Sequence, residues 1–248
     1  MALCELKCFS EVLGMQTTLC VILPEDRTQG EIGTGRAAGT GRTLYLLHGL
    51  SDDQSIWLRR TSVERYASAY GVTVVMPFAA KSYYTDMACG DRYYTYIARE
   101  VPEQTERFFG VSKKREDRFV AGLSMGGYGA LKIGLREGGR FCAAAGLSPC
   151  VDLASRLDRP MMKPVFDGKV PPEDDLLALS AAHANDETKA RLFIGVGTED
   201  FLYHEIPPLR ASLTANGYDL TYRESPGKHE WEFWDEYIRY VLEWMFQA

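Results

Sequence analysis

A chain of 248 residues with 46% apolar content suits one α/β domain, a buried parallel sheet with helices on both faces. Its formal charge of −6 offers no basic stripe for phosphates, which argues against nucleic acid. The short cluster Lys113-Lys114-Arg115 reads as a solvated loop.

Met1 to Phe9 alternates like a strand, without a charged start and apolar core, so neither signal peptide nor membrane span is expected. Leu3–Phe9 and Gln16–Leu23 read as a hairpin at an antiparallel sheet edge. Gly30 to Gly41, rich in glycine, reads as a flexible connection. Its G-x-G spacing is no phosphate loop, since no strand leads in and no helix follows. Thr43–Leu47 is an apolar strand, Ser55–Tyr70 a helix carrying Trp57, Val63, Tyr66 and Ala67, and Val72–Met76 the next buried strand. Tyr83 to Tyr96 forms an aromatic-rich loop and helix start. Pro102 belongs in the first turn of a helix ending near Phe108-Phe109. Arg118–Ala121 is a short buried strand, Tyr128–Leu135 a helix, and Phe141–Leu147 a strand. The proline-rich stretch Ser148–His183 reads as a lid-like insertion within the one domain, residues 1–248. Arg191–Val196 and Leu220–Glu224 are strands. The last helix puts Trp231, Trp234, Ile238, Val241, Leu242 and Met245 on one docking face.

Between the strand at 118 and the helix at 128 stands Gly122-Leu123-Ser124-Met125-Gly126, a G-x-S-x-G pentapeptide. A serine at so tight a strand-to-helix turn is the nucleophile elbow of an α/β-hydrolase. The turn strains the serine and leaves no room for side chains two residues either side, a demand that Gly122 and Gly126 meet. It also sets the hydroxyl at a helix N-terminus, where free N–H groups favour negative charge.

A serine hydroxyl needs a base, and the base needs an acid to orient it. In this fold the acid and then the histidine follow the serine along the chain, each just past a later strand. Of the four histidines, His48 precedes Ser124 and His183 has no strand immediately before it. His204 lies only four residues past the acid. His229 follows the strand Leu220–Glu224 and its turn, and is the expected base. Glu199 and Asp200 both follow the strand at 191. Asp200 is favoured, being the shorter carboxylate. The oxyanion donors are expected to be the backbone N–H groups of Met125 and of Leu50, which follows His48-Gly49 at a strand end. His48 itself reads as a structural residue beneath that loop. No metal motif accompanies the histidines, and neither a metal nor another cofactor is expected. The six cysteines, at 4, 8, 20, 89, 142 and 150, suit reduced thiols in a cytoplasmic protein. Trp57, Tyr94, His204 and Trp231 are candidates to line a substrate cleft.

These residues resemble the tributyrin-esterase and esterase D branch of the α/β-hydrolases, which includes S-formylglutathione hydrolases and feruloyl and acetyl-xylan esterases. The likeness rests on His48-Gly49-Leu50-Ser51, Trp57-Leu58-Arg59-Arg60-Thr61, Tyr84-Thr85-Asp86, the run Gly122 to Ala130, Gly197-Thr198-Glu199-Asp200 and Gly227-Lys228-His229-Glu230-Trp231. It implies a serine carboxylesterase for short acyl chains, with Ser124, Asp200 and His229 as triad and Leu50 and Met125 as oxyanion donors. It also implies assembly as a dimer or tetramer. The partner expected is a small-molecule ester. Within the same chemistry the alternatives are an acetyl or feruloyl esterase on plant-polysaccharide fragments, or a thioesterase on S-formylglutathione. A catalytically silent binding protein would require a broken triad or an occluded elbow.

Overall fold

The computed structural model describes residues 1–25 and 39–246, so the expected connection Gly30–Gly41 lies, through residue 38, outside the described residues. Eight strands form one sheet: β1 (Ala2–Ser10), β2 (Met15–Leu23), β3 (Thr43–Leu47), β4 (Thr73–Pro77), β5 (Arg118–Leu123), β6 (Ala143–Leu147), β7 (Arg191–Gly197) and β8 (Leu220–Ser225). Their order is β1-β2-β4-β3-β5-β6-β7-β8. β2 runs antiparallel to both its neighbours, and every other pairing is parallel. The mostly parallel sheet with an antiparallel N-terminal edge is therefore the architecture of an α/β-hydrolase.

Strands β3 to β6 are buried along their whole length, as expected of apolar runs covered on both faces. One face packs on a core holding Leu19, Val21, Tyr45, Val120, Tyr128 and Leu131. The other packs on Trp57, Val63, Phe233, Trp234, Tyr237 and Ile238. Helix α5 (Met125–Arg136) leads out of β5 on the first face and is buried from Met125 to Leu135. The last helix, α9 (Trp231–Phe246), docks on the second face through Trp234, Ile238, Val241, Leu242 and Met245, with Trp231 only partly covered.

Two elements depart from expectation. The single helix foreseen over Ser55–Tyr70 is two, α1 (Ile56–Arg60) and α2 (Val63–Ser68). Thr61 between them is extended and turns its hydroxyl back onto the Trp57 carbonyl at 2.6 Å, while the Ser62 N–H donates to Asp235 at 3.0 Å. Side-chain partners thus replace the intrahelical bonds at the break. Second, Pro102 stands in the first turn of its helix, as expected, but that helix does not begin on its own. α3 (Tyr93–Thr95) passes through a π turn, Tyr96–Glu100, directly into α4 (Val101–Phe109). A proline removes an N–H and crowds the carbonyl four residues back, and the wider π turn accommodates both effects.

The stretch from 148 to 183 contains α6 (Lys163–Phe166), α7 (Leu176–Ala182) and three short 3-10 turns. It is tied to α5 at one buried point. Lys132 Nζ donates to Asp174 Oδ1 at 2.9 Å and to Thr85 Oγ1 at 2.8 Å, and the Tyr128 hydroxyl donates to the Asp174 carbonyl at 2.6 Å. α8 (Ile206–Ala215) follows β7.

Candidate active site

Ser124 ends β5 and caps α5 with φ 53° and ψ −116°, a left-handed conformation that a serine adopts only under constraint. The close approach that forces it is visible at the flanking glycines. A Cβ on Gly122 would overlap the carbonyl of Gly126, and one on Gly126 would lie 2.5 Å from the Leu47 carbonyl oxygen. The Ser124 N–H donates to Leu147 O at 2.8 Å, and its own carbonyl accepts from Tyr128 at 2.9 Å and Cys150 at 3.2 Å. The elbow is thereby stitched to β6 and to the start of the segment beyond it.

His229 lies in the turn between β8 and α9. Its Nε2 is 3.0 Å from Ser124 Oγ, and its Nδ1 is 2.9 Å from Asp200 Oδ2 and 3.1 Å from Oδ1. A carboxylate can only accept, so Nδ1 carries the proton and Nε2 is left as the acceptor that faces the serine hydroxyl. The Asp200 side chain is fully buried just past β7. Burial by itself raises its pKa. The bonds from His229 and the Leu202 N–H, the charge of His229 and a bond from Ser148 outweigh that and hold it below the ordinary carboxylate range. Glu199, the other carboxylate of this loop, is exposed and takes no part in the chain of bonds.

His48 is the buried residue foreseen beneath the loop after β3. Its Nδ1–H donates to Gly49 O at 2.7 Å, while its Nε2 accepts from Ala79 N–H at 3.0 Å. Donating from one nitrogen and accepting at the other makes it neutral, and burial lowers its pKa in the same direction. The Tyr84 hydroxyl donates to the His48 carbonyl at 2.9 Å and Trp57 Nε1 to the Leu47 carbonyl at 3.1 Å, so the loop bearing Gly49 and Leu50 is held from both sides.

Residues 10–242 match the family model Esterase, whose description is "Putative esterase". The chain belongs to this esterase family. It is an α/β-hydrolase of the esterase D and tributyrin-esterase branch, and a serine carboxylesterase. The esterase is 30% identical over 261 residues to an acetyl esterase of Caldicellulosiruptor saccharolyticus, covering 99% of this chain and 98% of that one. Among solved structures it resembles the substrate-bound fluorophosphonate-binding serine hydrolase F of Staphylococcus aureus, with 35% identity and a TM-score of 0.88. That match covers 100% of this chain and 99% of the other. An S-formylglutathione hydrolase of the same organism is similar at 35% identity and a TM-score of 0.87, with 99% of each chain covered.

The four cleft candidates of the esterase divide. Trp57 is 1% exposed and Tyr94 is 6% exposed, the latter bonded through its hydroxyl to Glu137; both are core residues, a correction to their reading as cleft walls. Their aromatic bulk is used against other rings and helices. Trp231 is partly covered and meets Trp57 and Trp234 edge-on. His204 lines a cavity of about 240 Å³ with Val151, Leu153, Glu205 and Pro208.

Three residues around the triad escaped sequence reading. Trp234 meets the His229 ring edge-on at 4.8 Å, and its Nε1–H donates to Ser148 Oγ at 3.1 Å. Ser148 is fully buried at the end of β6 with φ 45°. Phe201, 65% exposed, lies 4.5 Å from the His229 ring and forms its outer cover. A serine ending a strand and a phenylalanine after an aspartate carry no pattern of their own. The adjacency of Phe201 to the acid was the one available signal.

Proposed function

We propose that the esterase hydrolyses small esters of short acyl chains through an acyl-enzyme on Ser124, with His229 as general base and Asp200 as its orienting acid. The observation that carries this reading is the continuous chain of hydrogen bonds from Asp200 through His229 to Ser124 Oγ at a strained strand-to-helix turn. The serine oxygen attacks the ester carbonyl as Nε2 takes its proton, and Asp200 stabilises the imidazolium. The backbone N–H groups of Leu50 and Met125 receive the oxyanion. His229 then protonates the departing alcohol, and a water activated by the same nitrogen releases the acid.

The segment 148–183 acts as the lid that sets acyl length. Support comes from its anchorage, Cys150 N–H on the Ser124 carbonyl and Lys132 on Asp174. The cavity beginning one residue beyond Cys150 presents Asp152, Asp174, Asp175 and Glu205, and among the described residues its lining holds no lysine or arginine. With Asp174 and Glu205 already paired to Lys132 and Arg156, that lining offers, among the described residues, no cation to the carboxylates of a thioester such as S-formylglutathione, which favours a neutral ester. Among the described residues no helix is long and apolar enough to cross a membrane. The six free cysteines, Cys89 exposed among them, fit a reducing cytoplasm.

A hydrolysis series over p-nitrophenyl acetate, butyrate and octanoate, methyl ferulate, acetylated xylo-oligosaccharide and S-formylglutathione tests the substrate class. An optimum at acetate or butyrate is expected. A preference for ferulate, the acetylated sugar or the thioester would keep the triad and replace the substrate.

A further inference from the structure

The turn that carries the acid also carries a side chain that the triad does not use. The Leu202 N–H donates to Asp200 Oδ1 at 2.8 Å and the Tyr203 N–H to the Asp200 carbonyl at 2.9 Å, so the backbone around Phe201 is pinned. Leu202 is buried and anchors the turn, while Phe201, at 65%, is the most exposed large apolar side chain among the described residues. A lone exposed apolar side chain is ordinary on a protein surface. This one stands on the catalytic base. Its ring centroid is 4.5 Å from that of His229, with the planes inclined at 50°. The other aromatic on His229, Trp234, is buried and commits its indole N–H to Ser148. Phe201 is thus the side of the His229 ring that a substrate can reach.

The chemistry decides which part of an ester passes it. His229 Nε2 stands 3.0 Å from Ser124 Oγ and has to deliver the serine proton to the departing oxygen. That oxygen must therefore come within hydrogen-bond reach of the same nitrogen. Oγ and the leaving oxygen then face His229, the oxyanion faces the backbone N–H donors, and the acyl chain points away. The carbon skeleton beyond the leaving oxygen emerges beside the His229 ring, where Phe201 stands. Resting on Ser124 and His229 as nucleophile and base, we propose that Phe201 is the leaving-group platform of the esterase, a specificity-determining side chain that selects esters of flat apolar alcohols, benzylic or phenolic. A ring fixed in place before binding makes this contact at little entropic cost. In acylation the bond from Oγ to the carbonyl carbon forms, the bond from that carbon to the alcohol oxygen breaks, and the alcohol leaves with the serine proton. The reverse step admits an alcohol to the acyl-enzyme in place of water, so the same platform favours acetyl transfer to benzyl alcohol over methanol.

Benzyl acetate and methyl acetate form the same acetyl-enzyme and differ only in the alcohol, so the ratio of their kcat/KM values reads this subsite. Any general effect of uncovering His229 falls on both substrates and cancels. Phe201→Ala should lower the benzyl-to-methyl ratio about fivefold, the scale of one aromatic contact. Phe201→Leu, which keeps an apolar cover without a ring, should lower it as far, and Phe201→Tyr should retain it. With p-nitrophenyl acetate as donor, the yield of benzyl acetate from added benzyl alcohol, relative to methyl acetate from methanol, should fall in the same two variants. A ratio unchanged by Phe201→Ala, or preserved by Phe201→Leu, would overturn the proposal while Ser124-dependent hydrolysis stands. Hydrolysis of both acetates undiminished in Ser124→Ala would instead overturn the assignment on which it rests.

Discussion

The indole N–H of Trp234 donates to Ser148 Oγ at 3.1 Å, while the edge of the same indole packs on the ring of His229. Ser148 in turn helps to hold the Asp200 carboxyl below the ordinary carboxylate range. The last helix thus steadies both the base and the acid through one side chain. Ser148→Ala should reduce kcat about tenfold, the scale of one hydrogen bond to a charged group, with KM little changed. Steady-state kinetics on p-nitrophenyl acetate decide it. An equal loss in KM and kcat would make Ser148 a residue of the fold alone.

The two acidic residues after β7 should separate cleanly. Asp200→Ala should cost about four orders of magnitude in kcat, as removal of a triad acid does elsewhere. Glu199 is exposed, and Glu199→Ala should leave kcat within about twofold, the ordinary effect of a surface change. Equal losses in the two variants would move the acid to the neighbouring residue.

Gly126→Ala should fail structurally before it fails chemically. Its Cβ would stand 2.5 Å from Leu47 O and 2.6 Å from His48 O, backbone atoms at the end of β3 and the start of the loop after it. Denaturant unfolding should show a loss of about 3 kcal/mol. Unchanged stability would mean that β3 and the elbow are not in this contact.

Lys132 gives a pH-dependent signature. It is completely buried between α5 and the 148–183 segment, and burial, the largest influence, pulls its pKa from 10.5 down to about 8 despite Asp174. Between that value and the ordinary lysine range the unfolded chain holds the proton that the folded chain has released. The contribution of Lys132 to stability is therefore lowest below about 8 and rises with pH up to about 10.4. Lys132→Met removes this slope and leaves Asp174 with Arg136 at 3.9 Å as its remaining cation among the described residues. Breaking such a buried pair should cost about 3 kcal/mol near neutral pH. The gap between wild type and variant should then widen from pH 8 to 10. A gap that narrows over that range would contradict the buried-lysine reading.

The meeting of Ser124, His229 and Asp200 was legible in the sequence because each follows a strand in the order that the fold requires, and strand ends are visible as apolar runs stopping at turn residues. The β1–β2 hairpin and β3 were legible for the same reason. What was illegible depended on residues far away in sequence. Nothing near Thr61-Ser62 announces a helix break, since the Ser62 N–H is taken by Asp235 on the last helix. Trp57 looked like a cleft residue because tryptophan serves both roles. Trp231, itself packed on Trp234, meets it edge-on from the far end of the chain. Ser148 is one serine among many until the indole of Trp234 reaches it.

The most direct measurement is intact and peptide mass spectrometry of the enzyme quenched during turnover of p-nitrophenyl acetate. An acetyl group carried on Ser124, absent in Ser124→Ala together with nearly all hydrolysis, is the result expected. Undiminished hydrolysis by Ser124→Ala, or acetylation confined to another residue, would contradict the assignment of Ser124 as nucleophile and the mechanism built on it.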